Sequence, residues 1–325
     1  RARGRRRHRA TGGAAMGRVV RRRVLEGILV GVGTAFLICL STVSRGDPLA
    51  STGGKVVPPE VAAINRAKFG LDQPLPVQFV NYLGNMVTGD FGLDFDQRRP
   101  VSQLLAETVP NTILLSVVAL VFLVLFGVTA GVIAAVRRYS FWDVFVTVVS
   151  TVGIGIPVFV VAIFLVANVS GVGPFPPVPR SFLEQVPWYW DVILPAFTLA
   201  IIESAFVARL MRGSMLEVLQ ADYIRTARAK GLSERTVIGK HAMRTSLLPV
   251  VTFVGLTLGT YIGGAIVTET VFQYNGAGFL LARAVTNNNA PVIMAVVVYS
   301  VVAYVLLSML VDILYAYLDP RIRLS

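Results

Sequence analysis

The chain has 325 residues, 54% of them hydrophobic and 15% charged, with a mean hydropathy of +0.68. Soluble domains carry about a quarter charged residues, so this composition excludes an ordinary water-soluble domain. The net charge of +12 would suit a nucleic-acid partner, but its distribution argues against one.

The chain opens with a basic segment, residues 1–23. Within it "MGRVVRRRVLEGILV", from Met16, has the form of a natural start, which leaves Arg1–Ala15 as a disordered basic extension with almost no apolar content. The Arg-rich flank and first apolar run imitate a signal peptide, but "CLSTVSRGD" lacks a convincing small-x-small cleavage site and five more spans follow. A hydrocarbon core of about 30 Å requires roughly 20 apolar residues per helix. Six runs meet that length: Val24–Ser44, Val109–Val136, Val144–Val169, Val192–Leu210, Leu247–Val271 and Pro291–Tyr317. They do not alternate as barrel strands would, and helices leave no backbone group unpaired in lipid. The expected fold is therefore all-α, a polytopic membrane protein with six transmembrane helices over residues 24–317. The single cysteine, Cys39, sits in the first run as a small apolar filler and allows neither a disulfide nor a cysteine metal site.

Between the first two spans, residues 45–107 form an outside segment too long for a simple connector. Leu75, Phe79, Leu83, Met86 and Val87 recur at helical spacing, and "TGDFG" makes a turn. This predicts an amphipathic helix, either lying on the bilayer or offering a platform to an external partner. "GIGIP", Gly153–Pro157, predicts a bend in span three. A proline-stiffened loop follows, ending in Trp188, Tyr189 and Trp190, which suit the aromatic belt of a membrane surface. The formal glycosylation sequon Asn168-Val169-Ser170 lies at a membrane edge and is a chance match. "FQYNGAGFLLARAVTNNNAP" reads as a turn-rich loop between spans five and six, and residues 318–325 form a tail.

The arginines before span one, Arg137 and Arg138, the segment between spans four and five, and Arg321 and Arg323 all fall on one side if six spans alternate. By the positive-inside rule both termini face the cytoplasm, and the charge serves topology and contact with anionic lipid heads. Small residues repeat at four-residue spacing: Gly27 and Gly31, Gly127 and Gly131, and Gly255, Gly259 and Gly263. Close helix packing accounts for such stripes, and the longest, in span five, is also the best candidate for a partner or pathway helix. Glu203 lies near the middle of span four with no basic residue three or four positions away. An intramembrane acid is by default a functional-site candidate, with a protonated or helix-paired glutamate as the alternative. Glu203, Gly259, Gly263 and Glu269 are the candidate translocation-pathway residues. There is no phosphate-binding loop, zinc-protease motif or serine nucleophile elbow. No catalytic residue, cofactor or metal is expected.

The most patterned stretch is "DYIRTARAKGLSERTVIGKHAMR", within a loop over residues 213–246. It predicts one helix from about Ala221 to Lys230, stopped by Gly231 in the left-handed conformation, and a second from Ser233, as N-cap, to Met243. Ala227, Ala229, Gly231 and Leu232 form a small, partly apolar knob rimmed by Arg225, Arg228, Lys230 and Arg235, the look of an interface rather than of a merely basic loop.

This stretch resembles the cytoplasmic coupling loop of ABC-importer permeases, in the form found in the oligopeptide/dipeptide/nickel family, and the chain looks like its B-type subunit. Arg225-Thr226-Ala227 stands for Glu-Ala-Ala, Gly231 is in place, and the later proline is delayed to Pro249. "RGDPL", "ETVPNTILLSVVAL", "GVIAAVRR", "GIPVF", "ILPAFTLA", "VARLMRGSMLEVL", "VTETVF" and "YAYLDPRIR" carry the resemblance along nearly the whole chain after Met16. Departures include Gly155 for a serine, "NGAG" at Asn275–Gly278, and "NNNAP" for an Arg-Asp-aromatic-Pro pattern. The resemblance implies a type I ABC-importer permease fold in a bacterial inner membrane. It implies a second, C-type permease subunit, two cytoplasmic ATPase subunits or a fused ATPase, an extracytoplasmic binding protein, and no nucleic acid. The ATPase-coupling residues would be Tyr223, Arg225, Thr226, Ala227, Arg228, Ala229, Lys230, Gly231, Leu232, Ser233 and His241. ATP hydrolysis would belong to the partners, so this chain is a transport subunit and not an enzyme. Peptides are the expected cargo, with nickel, glutathione or another small solute as alternatives. A self-contained ion-coupled carrier or channel is the competing class, but it would show more intramembrane ionisable groups.

The topology can be tested by cysteine labelling. An impermeant thiol reagent on intact cells should modify a cysteine placed at Ser51 and spare one placed at Ser233; the opposite pattern would invert the assignment.

Overall fold

The structure, a computed structural model, describes residues 73–94, 96–169 and 189–318, with Arg21, 25–34 and scattered positions from Phe36 to Ala67. Expectations for Arg1–Ala15, Cys39, the loop up to Trp188, the side chains of Tyr189 and Trp190, and the tail lie outside the described residues.

Among the described residues the regular structure is helical, with one isolated antiparallel bridge, Leu93 to Pro100. The elements are α1 (Leu25–Thr34), α2 (Leu75–Thr88), α3 (Val101–Val136), α4 (Phe141–Gly155), α5 (Val158–Val169), α6 (Tyr189–Leu219) and α7 (Asp222–Ala229). Then come α8 (Glu234–Thr236), a π-helical turn (Val237–Ala242), α9 (Met243–Ser246), α10 (Leu248–Ile262), α11 (Ile266–Phe272), α12 (Ala277–Thr286) and α13 (Ala290–Leu318). Among the described residues three helices are long and apolar enough to cross a membrane: α3, Asp191–Leu219 of α6 and Ala290–Val311 of α13. The number rises to five if α4 with α5, and Glu234–Ser246 with α10, each count as one bent span. The shorter apolar α1 lies inside the first expected span.

Several boundaries differ from the apolar runs. Span two begins eight positions early, because α3 continues through Pro110 back to Val101. Span three bends as expected: Ile156 is extended, Pro157 cannot donate, and α4 and α5 meet at 98°. Span five is not continuous. It breaks at Gly263 and Gly264, the latter at φ +127°, a conformation glycine adopts without Cβ strain. The loop after it is not all turn, since it contains the helix α12. The amphipathic helix appears as α2, closed by Gly89 at φ +74° in the expected turn.

The chain divides into two compact units. One holds the described residues up to Thr112 with Gly259–Ile266 and Asn275 onward. Its core joins Val101 and Leu104 to Ala277, Ala284, Val292, Ala295 and Val296. The orphan carbonyls at the end of α10 are met from α13: Tyr299 Oη donates to Ile262 at 3.0 Å, and Ser300 Oγ donates to Gly263. The N-terminal amide of α12, on Ala277, donates to Thr112 Oγ1 at 2.8 Å. Asn289 and Asn287, from the "NNNAP" departure, donate to Asp94 and Asp96 respectively.

The other unit holds Ile113–Leu258 and Val267–Tyr274. Its core is Leu123, Ala135, Ala200, Val207, Met211 and Met215, continued by Ile224, Ala227, Val237, Ala242 and Val250. Here α3 lies directly on α6. A Cβ added at Gly131 would sit 2.6 Å from the Ala208 carbonyl oxygen and 2.6 Å from Met211 Cβ. One at Gly127 would sit 2.7 Å from Val207 Cβ. The glycine stripe of span two is therefore a packing device.

Gly131→Ala should lower stability by about 1–3 kcal/mol through overpacking. Gly213→Ala, where a Cβ would meet nothing within 4 Å, should be neutral or gain up to about 1 kcal/mol from helix propensity. Thermal unfolding in detergent distinguishes the two, and equal losses would contradict the packing account.

Candidate functional site: the basic elbow

The elbow is built on the end of α6. Asp222 sits in the first turn of α7, where a carboxylate complements the positive end of the helix. Gly231 follows the helix at φ +75°. The Gly231 amide bonds to the Arg228 carbonyl and the Leu232 amide to that of Ala227. This is the expected left-handed stop. Across it, Arg228 grips Glu234 in a two-point ion pair, Nε to Oε1 at 2.7 Å and Nη2 to Oε2 at 3.3 Å. The guanidinium's hydrogen bonds hold the Glu234 carboxyl below its ordinary range.

Two expectations are corrected. Ser233 occupies the N-cap position, but its hydroxyl lies 3.0 Å from Thr236 Oγ1 and makes no side-chain bond to the backbone. The second helix is also not a uniform α-helix: a single turn, Glu234–Thr236, passes into the π-turn Val237–Ala242 and then α9. Mid-helix π-turns occur frequently at functional sites.

The knob divides into two faces. Ala227 is only 7% exposed and faces inward with Ile224, Val237 and Ala242, joining the core that contains Met211 and Met215. The outward face carries Tyr223, 46% exposed, and Leu232, 40% exposed, with Arg225, Thr226, Arg228, Ala229, Lys230, Gly231 and Ser233. His241 is half-buried in the π-turn. Tyr223 Oη and Thr245 Oγ1 lie 3.3 Å apart, tying α7 to α9. Inward anchoring and outward exposure therefore alternate within the motif, and the run of small residues alone does not separate them.

A further pair fixes the platform. Arg212, beside Met211 on α6, donates to both oxygens of Asp143 on α4, Nε to Oδ1 at 2.5 Å and Nη2 to Oδ2 at 3.0 Å. Asp143 also accepts from the Tyr139 amide at 2.9 Å, which leaves its side chain 5% exposed against 28% for Arg212. The sequence signal was slight: an acid just after a basic turn, 69 positions from its partner.

The pathway candidates fall in both units: Glu203 and Glu269 in one, Gly259 and Gly263 in the other. Glu203 is half-buried on α6. Gly259 admits α13, since a Cβ there would lie 3.3 Å from the Tyr304 ring, whereas one on Gly263 would first meet the Gly259 carbonyl oxygen at 3.3 Å. The same glycines line a groove of about 510 Å³ with Glu26, Gly27, Ser300 and Tyr304. Glu269, on α11, is fully buried. Among the described residues no cluster of three or more His, Cys, Asp or Glu could hold a metal ion.

These features define the class: a membrane protein, helical among the described residues, that carries a basic elbow at the end of α6. Residues 127–324 match the binding-protein-dependent transport system inner membrane component family, and residues 16–116 match the N-terminal part of that family's membrane components. The chain belongs to this family of transport permeases. The probable peptide ABC transporter permease protein y4tP of Sinorhizobium fredii is 38% identical over 95% of this chain and 100% of its own. The oligopeptide transport system permease protein AppB of Bacillus subtilis is 38% identical over 94% of this chain and 98% of its own. The glutathione transport system permease protein GsiC of Escherichia coli K12 is 39% identical over 86% and 89%. Among solved structures, a chain of the inward-facing MetNI methionine ABC transporter aligns with a TM-score of 0.55 at 18% identity, over 67% of this chain and 97% of that one. That likeness shows the ABC-importer permease fold.

Removing one partner of a mostly buried ion pair typically costs about 3–5 kcal/mol. Asp143→Ala should fall at the low end, since Arg212 keeps some access to water. A double-mutant cycle with Arg212→Ala, read by unfolding of the detergent-solubilised chain, should show coupling of at least about 1 kcal/mol. Additive effects would demote the pair to a surface contact.

Proposed function

We propose that this chain is the B-type membrane subunit of an ATP-driven peptide importer in a bacterial inner membrane. With a second, C-type permease it forms the translocation pathway. An extracytoplasmic binding protein delivers solute to the outside segment, residues 45–107, and two cytoplasmic ATPase subunits, or one fused ATPase, hydrolyse ATP. Both termini and the loop 213–246 face the cytoplasm. The observation that carries this reading is the elbow's double character. Ile224, Ala227, Val237 and Ala242 anchor it to the α6 core, while Tyr223, Leu232 and the basic rim stay exposed for a partner. A piece anchored in this way moves with α6, so a push on its outer face is delivered to the span. Peptides are the favoured cargo because relatives named for peptide and oligopeptide transport are 38% identical over nearly the whole chain. Glutathione, the cargo named for a 39% identical relative, is itself a tripeptide and falls in the same chemical class.

The outer face should be sensitive to shape more than to any single rim charge. Gly231→Val forces a β-branched residue to φ +75°, so it should abolish co-purification of the ATPase subunits or solute-stimulated ATP hydrolysis in the reconstituted complex. Arg235→Ala should have a mild effect. A Gly231→Val complex that keeps both properties would reduce the elbow to a topological anchor.

A further inference from the structure

Glu203 has no bonding partner among the described residues of its own chain. The nearest cation along α6 is Arg209, whose Nη2 donates instead to Thr151 Oγ1 at 2.9 Å. The packed face of α6 runs through Ser204, Val207, Ala208 and Met211, all buried. Glu203 and Phe206, three positions apart, share a different face, where side chains at that spacing are neighbours with Cβ atoms about 5–6 Å apart. Phe206 is 42% exposed, and its ring stacks on Phe253 of α10 at 4.5 Å and 22°. An unpaired carboxylate deep in a span is costly in lipid, so the group either takes up a proton or turns its face to a polar pathway or a partner charge, and only the last two give it a role in recognition. A carboxylate beside an exposed aromatic ring, here Phe206 backed by the partly buried Phe253, is the chemistry that recognises an ammonium or guanidinium, by charge-assisted hydrogen bonds and cation–π attraction together.

We propose that Glu203, with Phe206 and Phe253, is a recognition point for a positively charged group of the transported solute. It rests on the peptide-importer reading, and it names the feature of the cargo that the permease itself senses: an amino-terminal ammonium or a basic side chain. Glu203 accepts hydrogen bonds from the cation, and the ring pair supplies the flanking π face. The site holds the group reversibly, with no covalent step.

The test is equilibrium binding to the solubilised permease complex, without binding protein, for the wild type, Glu203→Gln and Glu203→Asp. Trialanine carries only the terminal ammonium, N-acetyl-trilysine only basic side chains, and N-acetyl-trialanine neither. Glu203→Gln should weaken binding of at least one of the first two by roughly tenfold and leave N-acetyl-trialanine unchanged. The peptide that responds identifies the recognised group. Glu203→Asp should keep most of the preference. The proposal is overturned if the wild type shows no preference for the charged peptides, if Glu203→Gln affects all three alike, or if it releases the second permease subunit, which would make Glu203 an interchain ion-pair partner. The peptide-importer reading is checked separately: if peptide-loaded binding protein does not stimulate ATP hydrolysis by the complete wild-type transporter, that reading fails even where the charge preference stands.

Discussion

Hydrocarbon offers the backbone no hydrogen-bond partner, and the architecture follows from that constraint. Among the described residues the apolar runs form helices, and each departure from helix has to be met locally. The break after α10 is tolerable because Tyr299 and Ser300 on α13 supply donors to the carbonyls of Ile262 and Gly263. The bend between α4 and α5 falls at Pro157, which has no amide hydrogen to leave unpaired. Charge obeys the same rule: Asp143 enters the protein only with two bonds from Arg212 and one from the Tyr139 amide.

Without a strong hydrophobic force between helices in lipid, tight packing must do the joining. Gly127 and Gly131 bring α3 against α6, and α6 is then held from another side by the Arg212–Asp143 pair. The elbow inherits this firmness, because Ile224, Ala227, Val237 and Ala242 close on the same core as Met211 and Met215. A surface motif of mostly small and basic residues thus gains a defined shape from apolar residues hidden beneath it.

Much of this was legible in the chain. Apolar run length gave the helical class, Pro157 the bend, and Gly231 the elbow's stop, since each depends on local chemistry. What was hidden depends on contacts distant in sequence. Ala227 looked like part of an outward knob because composition cannot tell which face of a short helix meets Met215. The break at Gly264 was masked by continuous hydrophobicity, which marks lipid-like surroundings and not backbone continuity. The Asp143–Arg212 bond spans 69 positions and leaves no periodic trace. Ser233 had the residue type of a cap, yet its hydroxyl found Thr236 instead of an amide.

The π-turn has a consequence for register. Continued from Val237 at about 100° per residue, an α-helix would carry His241 and Arg244 onto the inward side. The wider turn contains one residue more, so Ala242 and Ser246 point inward and Arg244 is left exposed. The insertion acts as a spacer of a single residue: it phases a basic stretch so that the methyl and hydroxyl groups meet the core and the guanidinium meets water. An alignment drawn on uniform helical periodicity would slip by one position there and assign the buried face to the wrong side chains.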